Sequence, residues 1–327
     1  MHMPPEPPPH PIVSPGNGDL AEALWRILDP RRWPLDPAQL PPGTALVGGA
    51  VRDALLGRLA AQPDLDFVVE VEALELARDL AGRWGGQVVV LDRERSIARL
   101  VIRGWTIDLA RRIGGDLEAD LRRRDYTVNA IALPTDGSSA PLDPCGGLTD
   151  LRQGLLRALS QENLLEDPLR LLRGPRLACE LGFELEAQTE DWIRSQRQRL
   201  TAVAGERVLA ELERLAQAPH GSEGLGRTLE LGLLDPWQPE REAALRALSP
   251  LMPPHPQGSG LLPPERAWAL PLARLAAILP AEGLECLRAS RRLQQRCARL
   301  QHWQRRLREE GEDEIPTGAL ERLAEAE

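Results

Sequence analysis

Residues 46–57, LVGGAVRDALLG, followed by DLD at 64–66, decide the reading of this chain. An apolar run, a Gly-Gly turn and a helical stretch follow one another in the first segment. Gly48 and Gly49 carry no Cβ, so backbone N–H groups there can approach an anion, and the helix N-terminus that follows adds positive potential. Arg52 falls in the first helical turn, where its fork can pair with a phosphate. An ordinary strand-to-helix turn with a surface arginine would look the same. In PDLDFVVE, alternation along a strand puts Asp64 and Asp66 on one face while Leu65, Phe67 and Val69 point to the core. Two carboxylates so placed repel unless a cation lies between them. A pair of Mg²⁺ ions roughly 3.5–4 Å apart fits that spacing and serves in-line phosphoryl or nucleotidyl transfer. A solvated strand end is the plainer alternative for an isolated DxD.

Working outward, ALVGG, LDFVVEV, QVVVL, ARLVI and WTIDLA between Ala45 and about Leu133 read as strands, rich in Val, Ile and Leu. ALELARDLAGRW and LEADLRR have helical spacing. After Pro141 the β signals stop, and residues 158 to 308 read as helices with Leu and Ala on one face. The expected class is α+β, with a mixed α/β head at 19–157 and an all-helical neck and body at 158–248. Residues 1–18 read as a disordered proline-rich arm, with Asp19 capping a short helix after it. A Pro/Gly linker at 249–264 precedes a basic helical region at 265–308 and an acidic tail at 309–327.

The chain has 327 residues and a net charge of −9, and all 40 of its basic residues are arginine. Without lysine, neither a GxxxxGK[ST] phosphate loop nor Schiff-base chemistry is open to it. Cys145, Cys179, Cys286 and Cys297 form no CxxC pair and read as reduced thiols of a soluble, cytoplasmic protein. No stretch approaches 18 apolar residues, so no membrane association is expected. The negative total hides a segregation of charge. Residues 286 to 308 hold eight arginines and no acid, whereas residues 309 to 327 hold eight acids and one arginine.

Taken together, LVGGAVRDALLG and DLD resemble the opening signature of the class II tRNA nucleotidyltransferase and bacterial poly(A) polymerase family. Four further segments are similar to that family's motifs, in its order: RRDYTVNAIAL at 123–133, LDPCGGLTDLRQGLLR at 142–157, EDPLRLLRGPRLACELGF at 166–183 and GERVLAEL at 205–212. The resemblance covers about half of the chain. It implies that Asp64 and Asp66 hold the catalytic metals and that Asp108 is a third acid on a neighbouring strand. It implies that Gly48, Gly49 and Arg52 line the triphosphate, and that Arg124, Asp125 and Asn129 shape the ribose side. There a hydrogen bond to the 2′-OH favours ribonucleotides, so DNA is not expected as a partner. On the helix that follows, Asp167 and Arg170 are implied to pair with the edge of CTP or ATP, with Arg173 and Arg176 extending the basic face.

Asp167 before Pro168 also has the form of a helix N-cap and first position, and the helix can equally begin nearer Ser160. Gly174-Pro175 departs from the family pattern, and proline predicts a kink or an end to the helix there, with Arg176 re-aimed. The connection from Asp108 to Arg123 is short where family members carry a mobile loop, which points to CC addition or another restricted activity. Arg288, Arg291, Arg292, Arg296 and Arg299, with Trp303 and His302 between later arginines, suit phosphate tracking along RNA. A solvated helix face paired with the acidic tail is the alternative. The expected activity is Mg²⁺-dependent, untemplated addition of C and/or A to tRNA 3′ ends. Poly(A) synthesis on other RNAs, or a non-catalytic RNA- or nucleotide-binding relative, are the alternatives. No histidine is followed by aspartate, so an HD-type phosphohydrolase within this chain is not expected.

Overall fold

The computed structural model describes residues 17–137, 140–251 and 263–310. The arm up to residue 16, most of the linker and the acidic tail from residue 311 lie outside them. The described chain forms two compact units. One is built from the chain up to Asp167 together with Leu181–Glu190, the other from Pro168–Glu180 and the chain from Asp191 onward.

The first unit contains α1 (Asn17–Leu28), β1 (Ala45–Val47), α2 (Gly49–Leu55), β2 (Leu65–Val69) and α3 (Ala73–Trp84). It continues with β3 (Gln87–Asp92), β4 (Ile97–Ile102), β5 (Trp105–Arg111), α4 (Leu117–Leu121) and β6 (Ala132–Pro134). The six strands form one mixed sheet in the order β3-β4-β5-β2-β1-β6, with β2 and β5 parallel. The five expected strands are all present. β6, a three-residue strand, carries too little pattern to be read from sequence. The first helix starts at Asn17, ahead of the expected cap at Asp19.

Alternation along the strands sorts the sheet into two faces. On one, Leu46, Leu65, Phe67, Val69, Leu100, Ile102, Ile107 and Leu109 are buried, with Ala73, Ala77 and Leu80 of α3 and the Trp33 ring against Phe67. On the other face, Ala45, Val47, Val68 and Ala132 form a core with Leu121 and Ala130. That cover stops midway across the sheet. At the β3–β4 edge, Val89, Leu91 and Val101 are exposed.

The first unit closes with α5 (Gly147–Gln153), β7 (Leu155–Leu156), α6 (Gln161–Glu166) and β8 (Glu184–Leu185). The first compact unit therefore runs past residue 157. β7 pairs in parallel with β8, and Ala158 N–H donates to Thr189 Oγ1 at 2.9 Å, drawing 181–190 back to it.

The second unit is helical: α7 (Leu169–Leu181), α8 (Ala187–Gln196, begun in the first unit), α9 (Gly205–Gln217), α10 (Gly221–Glu230) and α11 (Arg241–Leu248). After the linker come α12 (Pro263–Ile278), α13 (Ala281–Cys286) and α14 (Arg291–Glu310). Where a kink or an end is expected at Gly174-Pro175, α7 does not end but runs through Pro175 to Leu181. Leu171, Leu172, Leu177 and Leu181 are buried along it, and that burial outweighs the one hydrogen bond proline removes. Among the described residues no helix is long and apolar enough to cross a membrane.

Arg274 of α12 ties this unit together. It is 1% exposed, and its guanidinium donates to the carbonyls of Ala216 (2.7 Å), Ala218 (2.8 Å) and Pro219 (3.2 Å) and to Ser222 Oγ (2.9 Å). It thus satisfies carbonyls at the end of α9 that have no partner within the helix. Replacing Arg274 with leucine removes all four bonds, and of the three carbonyls the Ala218 one keeps its bond from Gly221 N–H at 2.9 Å. The expected loss is about 3 kcal/mol or more in urea unfolding.

The thiols give a second check. Burial pushes Cys179 and Cys297 up to about 11, whereas Cys286 is exposed. A raised thiol is protonated below its folded value, so at pH 8 only about 0.1% of either is thiolate. Ellman's reagent at pH 8 is expected to modify Cys286 quickly and these two only on unfolding.

Candidate active site

One lateral row of side chains crosses the half-covered face of the sheet. In register it runs Ala132, Val47, Asp66, Asp108, Arg99, Val89. Ala132 and Val47 are buried under the core, whereas Val89 is 48% exposed. Asp66 and Asp108 fall at the transition between covered and open sheet. Asp64 precedes β2 on the same alternation and is exposed. The structure thus brings together all three expected acids, with Asp108 directly beside Asp66 on the adjacent parallel strand.

Gly48 lies against this row. Its φ is +74°, and a Cβ there would stand 3.0 Å from Asp66 Oδ2. Both backbone angle and space require glycine at the turn, which keeps the Asp66 carboxylate uncovered. Gly49 is different: a Cβ would meet Arg52 Nη2 at an ordinary 3.6 Å.

No sequence motif marks Arg99. From β4 it grips Asp108 with two hydrogen bonds of 2.8 Å, Nε to Oδ1 and Nη2 to Oδ2. Its bond to Asp108 raises the Arg99 guanidinium above its ordinary range despite partial burial, and Asp64 and Asp66 add to the same field.

Arg52 is not presented as a surface arginine. It is 9% exposed, donates from Nε and Nη2 to Asp53 (2.9 and 3.1 Å), and from Nη1 to Asn129 Oδ1 at 2.7 Å. Asn129 Nδ2 donates in turn to Asp125 Oδ1 at 3.2 Å. Arg52, Asn129 and Asp125 therefore form one chain of bonds linking α2 to the RRDYTVNA segment. Arg124 is half-buried, with Nη2 3.2 Å from Asp120 Oδ2. Its Nε is buried without a hydrogen-bond partner among the described residues.

The DPCGGLTDLR segment braces this chain from behind. Asp143 accepts the Gly147 and Leu148 N–H groups at 2.8 and 2.9 Å and starts α5. Asp150 accepts Thr127 Oγ1–H at 2.7 Å and lies 3.2 Å from Arg157 Nε. A Cβ on Gly147 would fall 2.3 Å from the Thr127 carbonyl, so the loop packs there only through glycine.

The residues expected to read the base are distributed differently. Ser160 caps α6, its Oγ accepting Asn163 N–H at 3.1 Å, and Asp167 is the residue that ends α6, extended before Pro168. Asp167 belongs to the first unit, whereas Arg170, Arg173 and Arg176 belong to α7 of the second. Arg170 and Arg173 are half-buried. Arg176 is 7% exposed, its guanidinium bonded to Glu211 and, at 2.6 Å, to Glu180. Its donors are engaged in the packing of α7 on α9, which departs from the expected extension of a nucleotide-facing basic surface.

On α14 and just before it, Arg291, Arg292 and Arg299 are exposed. Arg288 pairs with Glu206 at 2.8 Å, and Arg296 lies over the Trp268 ring at 5.5 Å. His302 and Trp303 meet edge to face at 5.9 Å.

A mixed sheet carrying paired aspartates under a Gly-Gly turn, followed by a helical unit, defines a polymerase-type head with an appended helical region. Residues 44–157 match the family described as Poly A polymerase head domain. Residues 182–245 match the one described as Probable RNA and SrmB-binding site of polymerase A, a stretch that does not include Arg288 to Arg299. A CC-adding tRNA nucleotidyltransferase of Synechocystis sp. is 46% identical over 204 residues, 62% of this chain and 49% of that protein. An A-adding tRNA nucleotidyltransferase of Deinococcus radiodurans is 44% identical over 215 residues, 64% of this chain and 48% of that one. A solved tRNA nucleotidyltransferase complexed with a primer tRNA and an incoming ATP analog superposes with a TM-score of 0.66 at 26% identity, covering 86% of this chain and 87% of that one. The chain thus carries a head domain of the poly(A) polymerase type, and these relatives are tRNA nucleotidyltransferases. It spans about half the length of the curated relatives it matches.

The glycines offer a graded test. Gly147→Ala forces backbone apart and is expected to lower unfolding free energy by about 2 kcal/mol or more, while Gly49→Ala stays within about 0.5 kcal/mol. Thermal and urea unfolding of the two variants check the order.

Proposed function

We propose that the chain transfers nucleotides to the 3′ end of RNA, adding C and/or A to tRNA. The observation that carries this reading is the placement of Asp66 and Asp108 side by side on parallel strands, with Asp64 on the same alternation and Gly48 holding the space at Asp66 open. The names of the relatives favour tRNA over other RNAs.

The donor set suits a hard divalent cation, since carboxylate oxygens are the ligands Mg²⁺ prefers. Among the described residues no group of three or more His, Cys, Asp or Glu is gathered tightly enough to hold a metal alone. Mg²⁺ in polymerase sites is commonly bound through one or two carboxylates with substrate phosphates supplying further oxygens. Asp64 and Asp66 would hold it, with Asp108 beside them. When bound, Mg²⁺ supplies Lewis-acid activation of the primer hydroxyl and neutralises charge on the leaving pyrophosphate.

The chain's own residues bind and orient. The Gly48 turn admits the phosphates close to the Asp66 carboxylate. Asp125 and Asn129, held by Arg52, present a carboxylate and an amide where a ribose 2′-OH can bond. Within the helical unit, Arg170 on α7 is the residue that the family resemblance assigns to a base edge, with Arg173 extending the basic face.

The test uses the full chain with Mg²⁺ and tRNA ending at the discriminator base, at C or at CC, with CTP or ATP offered separately. Growth of the first two with CTP alone identifies CC addition, and one A on the CC end identifies A addition. Long A tails on unrelated RNA would instead favour poly(A) synthesis. Asp66→Asn is expected to lower incorporation about 10³-fold or more while keeping the wild-type thermal midpoint within a few degrees. No incorporation by the wild type, or full incorporation by Asp66→Asn, sinks the reading.

A further inference from the structure

ARLVI at 98–102 reads as a strand and nothing more, yet Arg99 lies in the middle of the carboxylate row. It stands opposite Asp108 in register, and both of its hydrogen bonds to that residue are 2.8 Å. The fork therefore engages both oxygens of one of the three acids. Asp64 and Asp66 act on the same guanidinium through space. Three carboxylates on one face repel one another, and Arg99 contributes a fixed positive charge among them. Arginine cannot shed that charge in water, so the contribution persists at any working pH. The pair is not sealed: the side chains are 42% and 21% exposed, on the open half of the sheet beside Val89 and Val101.

A divalent cation entering this row meets an arginine already holding one ligand. We propose that Arg99 is a positioning residue and built-in counter-cation, which fixes Asp108 by both oxygens and holds down the affinity of the carboxylate row for free divalent metal. Metal then binds well only when it arrives with nucleotide phosphates, whose charge offsets the guanidinium. This rests on the reading of Asp64, Asp66 and Asp108 as the metal-side acids. It adds to them a residue that sets how much metal the site demands.

The test needs no turnover for its first readout. The full chain, stripped with EDTA and without nucleotide, is titrated with Mn²⁺, and free Mn²⁺ is followed by electron paramagnetic resonance. Arg99→Gln is expected to bind Mn²⁺ about tenfold or more tighter than wild type, since a unit charge at a few ångströms has been removed. Arg99→Lys keeps the charge and loses the fork. It is expected to keep wild-type Mn²⁺ affinity, with a lower kcat at saturating metal and an unchanged KM for nucleotide. A gain in affinity is something mere damage to the fold would not produce. Wild-type Mn²⁺ affinity in Arg99→Gln overturns the proposal. If that variant does not fold by circular dichroism, Arg99→Lys decides: the stated pattern supports the proposal and any other overturns it. Adding Asp66→Asn to Arg99→Gln separates the two readings. Loss of the gained Mn²⁺ affinity keeps the carboxylate assignment, and its retention overturns that assignment instead.

Discussion

Like charges placed side by side on neighbouring strands set the terms for the rest of the head. Asp66 and Asp108 share one level of a parallel strand pair, where no choice of rotamer takes both carboxylates out of each other's field. Such a pair survives in a folded sheet only if the surroundings admit water and cations, and the sheet is built accordingly. Its cover of small apolar side chains ends at Val47, and beyond Asp108 the next residue in the row is an arginine. The covered half gives rigidity and the open half gives access, with the acids at the border.

The segments that recur as sequence motifs act mostly as braces around that border. The Arg52–Asn129–Asp125 chain joins the glycine turn to the segment 77 residues later. Thr127, Asp150 and Arg157 join that segment to the next. Gly147 permits the close approach on which the second joint depends. Residues that look from sequence like direct ligands, Arg52 and Arg176 among them, are thus engaged in holding neighbouring elements.

What could be read from sequence was local. The alternation in PDLDFVVE and the Gly-Gly turn are short-range patterns, and the structure places them on strand and turn as expected. The Asp64–Asp66 face followed from a period of two. Arg99 could not be read, because its meaning comes from strand register across a sheet, and no spacing along the chain encodes that. That α7 continues through Pro175 has a related cause: local propensity does not register the leucines that tertiary packing buries on either side. The two-residue pair of β7 with β8 and the Thr189 hydroxyl, which draw 181–190 into the first unit, carry too little pattern to be read from sequence.

Arg274 has a consequence for the order in which the molecule can be assembled. Its guanidinium closes the end of α9 from 58 residues downstream. On a ribosome, the head and α7 to α11 are synthesised before that arginine exists. The helical unit therefore waits, with the carbonyls at the end of α9 in water, until α12 has left the exit tunnel. A chain released before that point would carry a complete carboxylate row on a body that had never closed.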